Sequence, residues 1–137
     1  MFKEIVGYCQ LAFAAIGGAL GWFIGDLDGF LYALIAFVVI DYLTGLLAAG
    51  VQRKLSSEVG FKGIAKKVAI FLLVGIANII DVNVLQNGSA LRTAVIFFYL
   101  SNEGLSILEN AGSIGLPIPD KLKDMLDQLK NKDGEEK

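Results

Sequence analysis

Long uncharged runs fill the first half of the chain. The run from Val6 to Gly25 carries no charged residue, and the run from Gly29 to Gln52 carries one, Asp41, near its middle. A helix of about 20 apolar residues has the length that crosses a hydrocarbon core of about 30 Å. The pattern therefore predicts a membrane protein, with its first two transmembrane helices at about residues 6–25 and 30–51.

Two further spans are predicted in the second half of the chain, and both contain charges. The third, at about residues 66–86, is long enough if Lys66 and Lys67 extend toward the membrane surface and the helix continues past its next acidic residue. The fourth, at about residues 91–110, contains Glu103. We expect an all-α membrane protein with about four transmembrane helices. A re-entrant hairpin made of the last two segments is the alternative.

Glycine and proline residues interrupt the pattern after the fourth span. Pro119 suits the first position of a helix, and a last helix is predicted from Asp120 to Asn131. Its apolar residues share one face: Leu122, Met125, Leu126 and Leu129. The charged tail at residues 132–137 is predicted to be disordered. The chain is thus divided into a transmembrane helical domain at 1–116 and a cytoplasmic amphipathic helix with a charged tail at 117–137.

A basic segment connects the second and third predicted spans. It sets five cations against the single acid Glu58. Because basic loops of membrane proteins stay in the cytoplasm, we predict that this loop and both termini are cytoplasmic and that the turn at residues 26–28 is external. The residues that set this orientation, or that bind anionic lipid head groups, are Arg53, Lys54, Lys62, Lys66 and Lys67.

The composition narrows the possible functions. The 137 residues are 55% hydrophobic, with a mean hydropathy of +0.61 and a net charge of −2. Such a chain has no broad basic surface for nucleic acid. It contains no histidine and one cysteine, Cys9, within an apolar run. Disulfides, thiolate or imidazole metal sites and nucleophile–histidine catalysis are therefore excluded. We expect no enzymatic activity, no metal and no cofactor.

Small and polar residues recur every three or four positions in each predicted span, so that they share one helix face. In the first span, Gly17, Gly21 and Gly25 form a stripe that permits close helix packing. The other stripes carry acids, which must face a bundle interior, a partner or water. The candidates for assembly or for lining a water-filled path are Asp41, Thr44, Gly45, Asn78, Asp81, Asn102, Glu103 and Ser106. The alternative is that the acids are neutral and hydrogen-bonded inside a bundle.

Three groups of residues, taken together and in this order, carry a family resemblance over about residues 35–129. They are Asp41-Tyr42-Leu43-Thr44-Gly45 in the second span; Leu55-Ser56-Ser57, Gly60-Phe61-Lys62-Gly63 and Lys66-Lys67 in the basic segment; and Asn102-Glu103-Gly104-Leu105-Ser106-Ile107-Leu108-Glu109-Asn110 followed by Gly112, Gly115, Pro117, Pro119 and Leu122. With these motifs the chain resembles the phage-lysis and toxin-secretion holin family of phages and prophages of clostridia and related Gram-positive bacteria.

The resemblance implies a small protein that accumulates in the bacterial cytoplasmic membrane and then assembles with itself into large lesions. Through these lesions a cell-wall hydrolase reaches the peptidoglycan or a large toxin leaves the cell, without forming a stable complex with the protein. The residues alone leave two other functions open. One is a small proton-coupled exporter, because an acid within the membrane can exchange a proton for a cation. The other is a purely structural membrane-assembly factor.

Overall fold

The computed structural model describes residues 1–125 and 128, and it confirms the predicted all-α fold. No strand occurs among the described residues. Four long helices follow one another along the chain: α1 (Phe2–Ile24), α2 (Gly29–Val51), α3 (Ser57–Ile80) and α4 (Ala90–Ile114). One π-helical turn, Asp81–Leu85, extends α3 without a break.

Three of these segments are long and apolar enough to cross a membrane: Phe2–Ile24, Gly29–Val51 and Ser57–Leu85. The structure therefore supports three candidate spans. The 25 residues of α4 give a length of about 37 Å, but this helix contains Arg92, Glu103 and Glu109. A fourth span stays a prediction.

Helix α3 begins nine residues before the predicted start of the third span. The Ser56 side chain accepts a hydrogen bond from the Val59 backbone amide at 3.1 Å, and this N-cap satisfies one of the free amides of the first turn. Most of the predicted basic loop is therefore helical. The connection between α2 and α3 is reduced to residues 52–56, which we call the loop end of the molecule, and the turn at residues 25–28 marks the opposite, turn end.

Helices α2, α3 and α4 pack around a core of buried aliphatic side chains. This apolar core consists of Leu34, Val38, Ile70, Val74 and Ile96. Helix α1 stands beside the bundle, and none of its residues is buried by the part of the chain that the structure describes. It contacts α3 near its own C-terminal end, where the Phe23 ring fills the place that a side chain at Gly75 would take.

The end of α1 is held by side chains from α3 and α4. The buried Arg92 guanidinium donates from Nε to the Ile24 carbonyl at 2.8 Å and from Nη2 to the Asp26 carbonyl at 2.7 Å, and its Nη1 pairs with Asp28 Oδ2 at 2.8 Å. Asn78 Nδ2 donates to the Phe23 carbonyl at 3.0 Å. The last carbonyls of a helix have no partner within it. We call this group of contacts the Arg92 clamp.

The backbone at Gly25 makes the clamp possible. Its φ of 97° lies in the left-handed region, which glycine adopts at no steric cost. A Cβ at this position would come within 2.8 Å of Arg92 Nε and 2.9 Å of Asn78 Oδ1. A side chain here would therefore both strain the turn and displace the clamp.

Asp81 organises the start of α4 from the π-helical turn. Its carboxylate accepts hydrogen bonds from the backbone amides of Leu91 at 3.1 Å and Arg92 at 2.7 Å. A carboxylate at a helix N-terminus satisfies free amides and complements the positive end of the helix dipole. Asp81 is 1% exposed, so it caps α4 from inside the protein.

The C-terminal region is described in part. Residues 120–125 are helical, and both Leu122 and Met125 are exposed. The rest of the predicted helix to Asn131 and the charged tail at 132–137 lie outside the described residues, apart from residue 128. The amphipathic helix therefore stays a prediction.

Asp28 provides a pH-dependent test of the Arg92 clamp. The Leu31 backbone amide donates to its carboxylate at 2.9 Å and Arg92 pairs with it, so the pKa of Asp28 lies below its ordinary value of 3.8. Because the pKa of Asp28 is lower in the folded than in the unfolded state, the ionised carboxylate stabilises the fold at any pH above the unfolded-state pKa. This contribution is lost as the pH falls through the folded-state pKa. Asp28→Asn should therefore be less stable than wild type at neutral pH, and the difference should vanish in acid.

Unfolding of the two proteins in detergent micelles, followed from neutral to acidic pH, measures this difference. Asp26→Asn is the matched control, because Asp26 meets Arg92 through a backbone carbonyl that the substitution keeps. A stability difference between Asp28→Asn and wild type that persists unchanged into acid would contradict the prediction.

Candidate functional site

Three charged side chains from three helices meet inside the bundle. The Lys67 ammonium of α3 forms an ion pair with the Asp41 carboxylate of α2 and a second one, at 2.6 Å, with Glu103 Oε2 of α4. Each carboxylate side chain is 7% exposed, and the lysine side chain is 17% exposed. We call these three residues the central ion cluster.

The cluster lies at the same depth on all three helices. Asp41 is ten residues before the end of α2 at Val51, and Lys67 is ten residues after the start of α3 at Ser57. At 1.5 Å per residue, both lie about 15 Å from the loop end. On α2, which runs from Gly29 to Val51, the cluster therefore falls near the middle of the helix.

Further polar groups complete the site on its loop side. Asn110 Nδ2 lies 3.0 Å from Asp41 Oδ1, 3.2 Å from the Asp41 carbonyl and 3.0 Å from Thr44 Oγ1. Thr44 in turn donates to the Ile40 carbonyl at 2.8 Å. Among the described residues, every buried side-chain nitrogen and oxygen has a hydrogen-bond partner. The polar faces of α2 and α4 are thus satisfied against each other within one chain.

The stability that the central ion cluster gives to the fold depends on all three charged side chains being present. A buried ion pair adds little over a well-packed apolar core, but removing one partner costs about 3–5 kcal/mol because a charge is left uncompensated. Here one ammonium serves two carboxylates, so that Lys67 alone balances the interior acids of α2 and α4. Lys67 is therefore the side chain on which the mutual position of the three helices depends.

A polar pocket of about 170 Å³ adjoins the central ion cluster on its loop side. Its walls combine charged, amide and hydroxyl groups with two glycines: Asp41, Tyr42, Gly45, Leu46, Val59, Gly63, Lys67, Ser106 and Asn110. The Tyr42 ring lies against Gly63, where a Cβ would approach it to 3.2 Å, and its hydroxyl is 3.5 Å from the Gly60 carbonyl. Tyr42 of α2 thus packs on two glycines in the first two turns of α3.

The structure divides the predicted assembly candidates between two places. Asp41, Thr44 and Glu103 lie in or beside the central ion cluster, with Gly45 and Ser106 on the pocket wall. Asn78 and Asp81 lie near the turn end, where Asn78 holds α1 and Asp81 caps α4. Asn102 is half-buried on α4.

The predicted basic residues and packing glycines also lie in different surroundings. Arg53 and Lys54 are exposed in the loop end, and Lys62 and Lys66 are exposed on the first half of α3, where Lys62 pairs with Glu58 at 3.4 Å. Lys67, expected to reach the membrane surface, points inward instead. A Cβ at Gly17 or Gly21 would meet nothing within 4 Å in the described part of the chain, whereas Gly25 faces the Arg92 clamp.

Sequence reasoning missed the two cations that face the interior, the half-buried Lys67 and the buried Arg92, although the helical spacing contained a signal for Lys67. Lys67 precedes Asn78 by eleven positions, close to three full helical turns, so the two residues share a face of α3. Lys66 is rotated about 100° away from that face. Arg92 has a different signal, since it is a cation at the same end of the bundle as the acidic turn containing Asp26 and Asp28.

The sequence comparisons converge on one family. Residues 18–131 match the profile of the bacteriophage holin family. An uncharacterized protein of Listeria monocytogenes is 46% identical over 98% of this chain and 93% of its own length. An uncharacterized protein from the nagH 3′ region of Clostridium perfringens is 39% identical over 95% of this chain and 98% of its own length. A probable holin of Bacillus phage phi105 is 38% identical over 71% of each chain.

These matches confirm the resemblance that the sequence motifs carry, and the family points to a non-enzymatic membrane protein. No solved structure matches this chain.

The adjacent lysines at positions 66 and 67 give a matched test of the central ion cluster. Lys67→Met keeps an unbranched side chain but leaves two carboxylates without their cation, so it should lower the free energy of unfolding by about 3–5 kcal/mol. Lys66→Met removes an exposed charge and should change stability by no more than about 0.5 kcal/mol. Reversible unfolding of both variants in mixed detergent micelles measures the difference. Equal stabilities would show that Lys67 does not hold the helices together.

Proposed function

Because the chain belongs to the bacteriophage holin family, we propose that it is a holin, which accumulates in the bacterial cytoplasmic membrane and assembles with further copies of itself into lesions. The match over residues 18–131 carries the proposal, and the probable holin of Bacillus phage phi105 supports it. The cargo is a cell-wall hydrolase or a large toxin, which passes through the lesion and forms no stable complex with the protein.

The packing of a single chain is consistent with harmless accumulation before lysis. Its interior acids are paired with Lys67, and the apolar core fills the bundle on the turn side of this ion cluster. A chain that satisfies its own buried polar groups and keeps a closed apolar core opens no path for water across the membrane. We therefore assign the described structure to the state that precedes lesion formation.

Assembly requires a surface that one chain leaves free, and α1 offers one. Its Gly17 and Gly21 positions are open in the described part of the chain, and small residues let membrane helices approach closely. In this proposal α1 mediates contacts between copies. The polar residues of α2, α3 and α4 either stay in their bundles or exchange partners and line the lesion once copies have gathered.

The proposed orientation follows from the exposed cations. Arg53 and Lys54 lie in the loop end and Lys62 in the second turn of α3, while Lys66 lies deeper on α3 with an exposed side chain that can extend toward the loop end. We place the loop end in the cytoplasm, where these cations contact anionic lipid head groups. Both termini are then cytoplasmic if α4 also crosses the membrane, and the acidic turn before α2 is external.

The alternative function, a proton-coupled exporter, is not favoured by any of the sequence comparisons.

Expression with and without a cytoplasmic cell-wall hydrolase tests the function. A holin is expected to permit a normal growth period and then abrupt lysis when the hydrolase is present, because the lesion lets the enzyme reach the wall. Without the hydrolase, growth should stop without rapid loss of turbidity. Culture turbidity and release of a cytoplasmic enzyme are the measurements. Gradual uptake or efflux of a small solute, with no release of the hydrolase at any expression level, would contradict the proposal.

The glycine face of α1 gives a second prediction. Gly21→Leu should keep membrane insertion and the fold of the single chain, because leucine is apolar and the position is open within the described chain. It should reduce the amount of crosslinked oligomer and delay lysis, because the bulky side chain holds neighbouring helices apart. Chemical crosslinking in membranes followed by gel electrophoresis measures the oligomers.

Gly75→Leu is the matched control for this substitution. Its side chain would collide with the Phe23 ring, so the single chain itself should be destabilised and degraded. If Gly21→Leu instead leaves stable protein, undiminished oligomers and normal lysis, α1 meets lipid at this face.

A further inference from the structure

The polar pocket lies on one side only of the central ion cluster. All of its lining residues lie at the level of the cluster or on its loop side. On α2 the lining continues from Asp41 to Leu46, on α3 from Lys67 back to Val59, and on α4 from Ser106 to Asn110. The pocket therefore extends from the level of the central ion cluster toward the loop end.

The opposite side of the cluster is closed by apolar side chains. Leu34 and Val38 precede Asp41 on α2, Ile70 and Val74 follow Lys67 on α3, and Ile96 precedes Glu103 on α4. Because α3 runs opposite to α2 and α4, all five lie on the turn side of the cluster. Leu34, Val74 and Ile96 are 0% exposed. The apolar core thus separates the cluster from the turn end.

The walls are mixed, with apolar side chains such as Leu46 and Val59 beside four polar groups that can bind water. The Asp41 carboxylate, the Lys67 ammonium, the Asn110 amide and the Ser106 hydroxyl are all present on the pocket wall. A cavity of this size with several polar partners can hold ordered water, whereas empty cavities are lined by apolar groups. Two carboxylates and one ammonium also leave an excess negative charge at the inner end when all are ionised, which is least costly next to water.

We propose that this pocket is an aqueous vestibule. It admits water and small cations from the loop side to the central ion cluster, and the apolar core stops them there. The cluster is then in contact with solvent on one side of the membrane before any lesion forms. This proposal concerns the single chain and does not depend on what the assembled protein releases.

Cysteine reactivity tests the vestibule, because the thiolate is the reactive form and it requires a wet environment. In a Cys9→Ala background, Ser106→Cys and Leu46→Cys place thiols on the pocket wall from two different helices. Leu43→Cys places one at the same depth on the exposed, lipid-facing side of α2. Val74→Cys places one in the apolar core. Ser57→Cys and Leu27→Cys mark the loop side and the turn side.

Sealed proteoliposomes that retain a trapped dye are treated with a small cationic methanethiosulfonate reagent on one side. Ser106→Cys and Leu46→Cys should react from the side that labels Ser57→Cys and not from the side that labels Leu27→Cys. Their rates should exceed those of Leu43→Cys and Val74→Cys at least about tenfold, since thiols in lipid or in a dry core stay protonated.

Each contrary result has a definite meaning. Unreactive Ser106→Cys and Leu46→Cys, in variants that elute as folded protein, show that the pocket is dry and overturn the proposal. Equal rates for these variants and Leu43→Cys show that the reagent arrives through the lipid. Labelling of Val74→Cys, or labelling of Ser106→Cys from the turn side, shows that the apolar core does not close the vestibule. Lysis assays are not needed for any of these outcomes, so failure here is distinguishable from failure of the holin function.

Discussion

The position of Lys67 between two carboxylates is the constraint on which the bundle depends. A charge at the centre of a membrane helix costs about 2.5–3.5 kcal/mol on insertion scales, and the candidate spans α2 and α3 each carry a charge at the level where α4 carries Glu103. The cost falls when the three charges meet, and they meet in one rotation and one vertical register of the helices. Apolar packing alone allows neighbouring registers, because leucine and lipid are alike in polarity. The ion pairs therefore specify the alignment, and the aliphatic core fills the space that this alignment creates.

A second polar group fixes the opposite end of the bundle in a different way. Arg92 is buried, but its partners are two backbone carbonyls near the end of α1 and the Asp28 carboxylate. Helix ends carry carbonyls without internal partners, so an arginine with five donors can join one helix to another there. This contact attaches α1 at one end and leaves its glycine face open. The molecule is thus a three-helix bundle, aligned by Lys67, with a fourth helix held at its tip.

The sequence predicted the parts that depend on length and on acidic residues. The uncharged runs located α1 and α2 to within four residues at each end, and the helical spacing put Asp41 and Glu103 on polar faces that were expected to meet a bundle interior, a partner or water. The cations were harder, because a lysine near the end of an apolar run ordinarily extends to the surface. The third span was counted from Lys66, which placed Lys67 at a helix end. The Ser56 cap starts α3 ten residues before Lys67, so that Lys67 lies deep within the helix. The early helix start set by the Ser56 cap is therefore the reason why Lys67, predicted to lie at the surface, lies at the centre of the site.

Complete internal pairing limits what can drive assembly of such a chain. If the polar residues were unpaired in one copy, they would associate with any second copy at low density, and a holin would open too early. Under the proposed holin function, with Asp41, Lys67 and Glu103 satisfied inside each bundle, the first contacts between copies would come from close packing of helix surfaces. Packing contacts in a membrane are individually weak, so this association would depend on protein density. Exchange of the ion pairs would then follow only where several copies already surround one another, which would give the proposed assembly a threshold.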